Sequence, residues 1–192
     1  MKTAYLDTNI FLTLLRPNDP HYNSVRRVSK VESLSYVTGI ITVLELTSVF
    51  SREYSILKAG ILELAEAYDL RELVELSKEE QIIAIIQFLF QAFRAKIIGN
   101  QRPDERILVN DHIPLDPINK LAILQSTSSE MRALDNLHFA FSRFTKHHLG
   151  YDLQYFVTLD EGFLKKGQFC QEFSNIHFVH PTSLEELEIS SV

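Results

Sequence analysis

Four acidic residues, Asp7, Glu45, Asp135 and Asp160, stand where strand or helix patterns begin or end, far apart in a chain of 192 residues. Carboxylates brought together from separate segments repel one another, and a divalent cation offsets that repulsion while supplying hydrolytic chemistry. An all-oxygen donor set selects hard ions, Mg²⁺ or Mn²⁺, over soft ones. Such an ion generates hydroxide at neutral pH, stabilises an anionic transition state and relieves the departing oxygen of a phosphodiester.

Each acid has a local pattern that would position it, and each pattern also has a purely structural use. Met1 to Asn9 reads as a short buried strand breaking at Asp7 before the apolar helical stretch Ile10 to Leu15. Asp7 then lies at the carboxyl edge of the first strand, where open α/β sheets bind ligands; it could equally be an N-cap. Leu34 to Ile41 reads as a second strand, and Thr42 followed by Glu45 has the spacing of a capping box. Asp135 sits in a helical segment, Ser128 to Phe144, on one row with Met131, Phe139 and Ser142 and close to Leu134 and His138. A carboxylate on so apolar a face is costly unless it is paired, for instance with Arg132 or Arg143, or bound to a cation. Tyr155 to Leu159 reads as a strand that turns at Asp160 through Gly162, a position where Asp is common for local hydrogen bonding.

Strands alternating with helices predict a parallel sheet covered on both faces. Pro17 and Pro20 separate the first helix from a second, His21 to Val31; Ile56 to Tyr68 has helical spacing; Ile176 to Val179 is a late strand; Ser183 opens a short terminal helix. Residues 1–192 are expected to form one domain. Between about 77 and 127 lies a segment read as an insertion: a helix start at Ser77-Lys78-Glu79-Glu80, an apolar helix from Gln81 to Ile98 stopped by Gly99-Asn100, then a long loop with at most one strand, Ile107 to Asn110.

With one cysteine, Cys170, there can be no internal disulfide, and no apolar run is long enough for a bilayer span, so a cytoplasmic location without membrane contact is expected. Seven histidines include no His-Glu-x-x-His and no Cys/His pairs, which argues against structural zinc. His147-His148 suits the C-terminal end of its helix, and His138 reads as a packed residue beside the acids rather than a ligand. A net charge of −6 argues against a broad nucleic-acid footprint. Basic residues do cluster locally, at Arg26, Arg27 and Lys30, at Arg94, Lys96 and Arg102, and at Lys165 and Lys166.

Together, YLDTNIFL at residues 5 to 12, ITVLEL at 41 to 46, LDNLHFAFS at 134 to 142 and FVTLDEGF at 156 to 163 resemble the successive motifs of PIN domains. The resemblance covers both ends of the chain but not residues 70 to 127. It implies a three-layer α/β/α sandwich with a central, mainly parallel sheet, plus the inserted helix and long loop. It also implies a Mg²⁺- or Mn²⁺-dependent endoribonuclease, similar to the VapC-type toxins of toxin-antitoxin pairs. On this likeness Asp7, Glu45, Asp135 and Asp160 are the catalytic and metal-holding acids. Asn9 and Thr158 orient them, and Glu161 is a further acid beside the site. The expected partners are an RNA substrate, a second copy of the chain as a homodimer, and an antitoxin protein. The rival reading is a PIN-like scaffold that binds RNA or a protein without cutting. A small-molecule phosphohydrolase lacks support, because no Asp-x-Asp follows the first strand.

Overall fold

The computed structural model describes residues 1–67, 73, 75–109, 113–129 and 131–184. Its first strand, β1 (Lys2–Leu6), is buried along Thr3 to Leu6. A strand buried on both faces belongs in the middle of a parallel sheet. There β1 pairs parallel with β2 (Leu34–Gly39) on one side and with a strand from late in the chain, Leu153–Val157, on the other. The two sides of β1 feed separate cores. Ala4 and Leu6 join Ile10, Phe11, Leu46, Phe50, Leu89 and Phe93 on one face, whereas Tyr5 joins Phe139, Phe141, Phe156 and Ile176 on the other.

The helices that supply the first face are α1 (Thr8–Thr13), α2 (Tyr22–Val28), α3 (Ile40–Ala67) and α4 (Lys78–Phe93). α3 kinks at Glu53 (φ −108°, ψ 16°). Gly60 lets α3 approach the chain behind it: a Cβ there would stand 2.1 Å from the Leu15 carbonyl oxygen. α4 opens with the expected capping box, Ser77 Oγ accepting from the Glu80 amide at 3.4 Å and Glu80 Oε2 accepting from the Ser77 amide at 2.9 Å. Ser77→Ala should lower stability by about 1 kcal/mol in urea unfolding, since it removes one of these two caps.

The segment between residues 77 and 127 departs from expectation. The helix predicted to reach Ile98 ends at Phe93, because Arg94 takes a left-handed conformation (φ 51°, ψ 34°) that closes it. Ala95–Ile98 is instead strand β3, paired parallel to β2 from Tyr36↔Ala95 to Gly39↔Ile98. A short apolar run has no periodicity that separates strand from helix, and pairing with β2 decides it. What was expected to be one long loop is also organised. β4 (Asp104–Val109) and β5 (Ile113–Leu115) form an antiparallel pair, and α5 (Pro117–Ser129) follows. The single strand expected at Ile107 to Asn110 thus starts earlier, and Asn110 lies outside the described residues.

Ser128 and Ser129 end α5, so the acid-bearing helix α6 runs from Ala133 to His147, with Arg132 as its N-cap. β6 (Leu153–Val157), α7 (Glu161–Lys165), α8 (Gly167–Ser174) and β7 (His177–Val179) complete the chain. The terminal helix expected from Ser183 is present as far as Leu184, and positions 185–192 lie outside the described residues. The sheet order is β3-β2-β1-β6-β7, all parallel, with helices on both faces: the predicted α/β/α sandwich. The order reverses at β1, so the carboxyl ends of β1 and β6 flank a topological switch point, the place where such sheets open a crevice. Among the described residues no helix is long and apolar enough to cross a membrane.

Candidate functional site

β1 runs straight into the site. The Asp7 amide still pairs with the Val157 carbonyl of β6 at 3.1 Å, after which the chain turns into α1. Asp7 is 6% exposed, and both oxygens of its carboxylate are engaged by donors. Oδ1 accepts from the Thr8 amide at 2.7 Å, while Oδ2 accepts from Asn9 Nδ2 at 2.8 Å and from the Thr158 hydroxyl at 2.6 Å. The helix-cap use and the site-forming use of Asp7 therefore coexist. Asn9 and Thr158 hold it as a pair, because Thr158 Oγ1 also accepts from Asn9 Nδ2 at 3.1 Å and Asn9 Oδ1 accepts from the Leu159 amide at 3.1 Å. Burial outweighs these donors and pushes the Asp7 carboxyl above its ordinary range, with the charge of Glu45 adding to the rise.

Glu45 does not cap α3. The helix begins at Ile40, the Thr42 hydroxyl is 2.7 Å from that of Thr38, and Glu45 Oε2 accepts from the Thr8 hydroxyl and meets His138 Nε2 at 2.7 Å. His138 comes from α6, three residues after Asp135 and so on the same helical face. Its Nε2 is also 3.8 Å from Asp7 Oδ1, and its Nδ1 is 2.9 Å from the Tyr5 hydroxyl, which accepts from the Gly39 amide at 3.0 Å. The sequence placed His138 near the acids but gave no sign that it would span two of them.

Burial alone would depress His138, but its hydrogen bond to Glu45 and the charges of Asp7, Glu45 and Asp135 prevail and raise it above 6.5. Burial likewise works against the Glu45 carboxylate, yet His138 and Thr8 hold it below its ordinary 4.5. The signs give a window. Stability from the raised imidazole is fully present below pH 6.5 and is lost as pH rises through its higher folded value; stability from the lowered carboxylate is lost as pH falls below 4.5. Urea unfolding of the metal-free protein should therefore show stability falling as pH is raised above 6.5, and His138→Gln should flatten that fall. Parallel profiles for the two proteins would exclude the pairing.

Asp135 and Asp160 face a second compartment, a cleft of about 310 Å³ lined by Met131, Arg132, Asp135, Asp160, Gly162, Phe163 and Lys166. Asp160 Oδ1 accepts from the Gly162 amide at 2.5 Å, the local turn bond its sequence suggests. Asp135 has neither of the arginine partners considered from sequence: among the described residues it forms no ion pair, and Arg132 acts on it only as a nearby charge. Burial first, then the charges of Asp160 and Asp7, raise the Asp135 carboxyl. Three of the four acids are therefore within electrostatic reach of one another. Glu161 turns away to Lys165, 2.8 Å distant on the surface, and does not line the cleft.

The donor chemistry suits a hard cation, since uncompensated carboxylate charge is what such an ion stabilises. The present pose is more open than an ion's shell: among the described residues no group of three or more His, Cys, Asp or Glu is set to hold a metal. Two other cavities, of about 520 Å³ beside α2 and α4 and about 340 Å³ beside α3 and α6, carry one acid each, Glu63 and Asp116, and neither gathers the chemistry found here. One of the two trailing histidines differs from expectation. Burial and the charges of Arg143, Lys146 and His148 depress His147, which opposes a charged role at the helix end, and His148 stacks on Phe144 with ring centroids 4.8 Å apart.

No family model and no curated protein sequence matches the chain. Among solved structures, it is similar to a chain of VapBC2 from Rickettsia felis, bound to a DNA fragment from their promoter, with 13% identity over 93% of this chain and 98% of that one and a TM-score of 0.50. At that identity the likeness is one of architecture, and it agrees with the α/β/α sandwich described above.

Proposed function

We propose that the protein is a divalent-cation-dependent nuclease, an endoribonuclease hydrolysing phosphodiester bonds of single-stranded or structured RNA. The observation that carries this reading is the gathering of Asp7, Asp135 and Asp160 at the switch point of a parallel sheet, where Asp135 feels the charges of the other two. Asp7, Asp135 and Asp160 would hold Mg²⁺ or Mn²⁺, with Glu45 joining them on leaving His138 or orienting a water from where it stands. When bound, the ion supplies a hydroxide at neutral pH and neutralises charge on the phosphate. The chain's own groups do the rest. Asn9 and Thr158 fix the direction of the Asp7 carboxylate. His138 and Thr8 hold the Glu45 carboxylate and favour its ionised form, and the same His138 Nε2 lies 3.8 Å from Asp7 Oδ1.

The fold likeness to VapBC2 supports extending the proposal to a toxin-antitoxin role: a cytoplasmic homodimer held by an antitoxin that covers the acids. The test of the activity is cleavage of a labelled single-stranded RNA in Mn²⁺ or Mg²⁺, with EDTA as the control. Strand scission that EDTA stops supports the nuclease. A specific observation favours a second reading, a PIN-like scaffold that does not cut: Glu45 is already paired with His138, and among the described residues no trio of acids is posed around an ion. Absence of both cleavage and Mn²⁺ binding, the latter followed by calorimetry, would decide for the scaffold.

A further inference from the structure

A polyanion cannot approach three carboxylates without cations nearby, and this chain carries a net charge of −6, so its attraction for a phosphodiester backbone must be local. The structure sorts the basic side chains. Arg26 and Lys30 line the separate cavity of about 520 Å³ beside α2. Lys165 is taken by Glu161 at 2.8 Å, Lys96 lies over the Tyr151 ring at 5.3 Å from its centroid, and Arg94 closes α4. Arg132 and Lys166 alone among the described residues bring positive charge into the lining of the cleft that holds Asp135 and Asp160.

These two cations come from different elements and reach the same space. Arg132 is the N-cap of α6 and is exposed, and its guanidinium forms no hydrogen bond or ion pair among the described residues. Lys166 follows α7 and is steadied by a 3.2 Å bond to the Ser129 carbonyl. A volume of about 310 Å³ is at the lower end for a ligand site, of order 300–1,000 Å³, which suits one nucleotide unit and not the broad basic face that a duplex requires.

We propose that Arg132 and Lys166 form a cradle for one phosphate of a single-stranded polynucleotide, next to the phosphate held at the acids. This rests on the nuclease reading for its neighbour, but its test needs no cleavage. In the cradle the guanidinium would grip two phosphate oxygens and the ammonium a third, fixing register without reading sequence.

The test is fluorescence anisotropy of a labelled oligouridylate and the matching oligodeoxythymidylate, in EDTA and in Ca²⁺, across a salt series. Each lost phosphate contact should reduce the slope of log affinity against log salt by about 0.7, so Arg132→Met/Lys166→Met should lower it by about 1.4 with a loss of affinity of at least tenfold. The equal-charge control Arg26→Met/Lys30→Met should change it far less. Matching slopes for wild type and the cleft variant, or equal losses in both double variants, would overturn the cradle; so would a wild type that binds neither oligomer. If the wild type never cleaves yet the cleft variant alone loses affinity, the cradle stands and the nuclease reading fails. Loss confined to the ribo-oligomer assigns the site to RNA, and loss with both assigns it to the shared backbone.

Discussion

Asp7→Asn and Asp135→Asn should each reduce metal-dependent cleavage by about 10³-fold or more while leaving the fold intact. Removing one carboxylate from a hard-ion site forfeits several kcal/mol of transition-state stabilisation, and each 1.36 kcal/mol is about tenfold in rate. The stability of the variants carries a separate and less intuitive expectation. Without a cation, the folded protein holds the Asp7 and Asp135 carboxyls above their ordinary range, chiefly through burial, so their ionised forms weigh against folding at neutral pH. Replacing Asp135 by an isosteric amide removes that charge, together with its repulsion from Asp160 and Asp7. In EDTA this variant should melt above wild type. Asp7→Asn gains in the same way but loses an acceptor for Asn9 and Thr158, and it should melt close to wild type. Mn²⁺ should reverse the order, because only wild type has the full set of charges to bind it. Wild-type cleavage in either variant would remove that acid from the chemistry.

The largest effect on stability is expected from Phe156→Ala. Phe156 is fully buried near the carboxyl end of β6, with ring centroids 5.0 Å from Tyr5, 4.6 Å from Phe178 and 4.9 Å from Phe163. Truncation loses the transfer free energy of the ring and leaves a cavity that rigid aromatic neighbours cannot fill, a cost of about 3–5 kcal/mol. Against a usual total of about 5–15 kcal/mol, this is a severe loss, readable as a lower urea midpoint. The substitution also loosens Tyr5, whose hydroxyl meets His138 Nδ1 at 2.9 Å, so the same variant should weaken the pH dependence ascribed to the Glu45–His138 pair. Phe156→Leu, which refills much of the space, should recover more than half of both. A Phe156→Ala protein as stable as wild type would mean that this aromatic layer is not the core it forms in the structure.

Local pattern carried the reading furthest where one segment determines its own conformation. The buried run before Asp7, the strand that turns at Asp160 and the Ser77 capping box each depend on residues within a few positions, and each was legible. The alternation of strands and helices likewise implied a covered parallel sheet. The five-stranded order built around β1 satisfies that expectation.

Pairing between distant segments decided the remainder. Ala95–Ile98 became a strand because the open edge of β2 offered hydrogen-bond partners, something no window of its own residues can reveal. Glu45 had a capping-box spacing, but Thr8 and His138, brought in from β1's exit and from α6, outcompeted the local use. The four acids were each visible by type and position in the chain. Their division into a His138-bridged pair and a cleft shared with Arg132 and Lys166 was not, because it depends on how α6 packs beside the distant ends of β1 and β6. Residue chemistry is written in the sequence, whereas the fields those residues feel depend on distances that only tertiary packing sets.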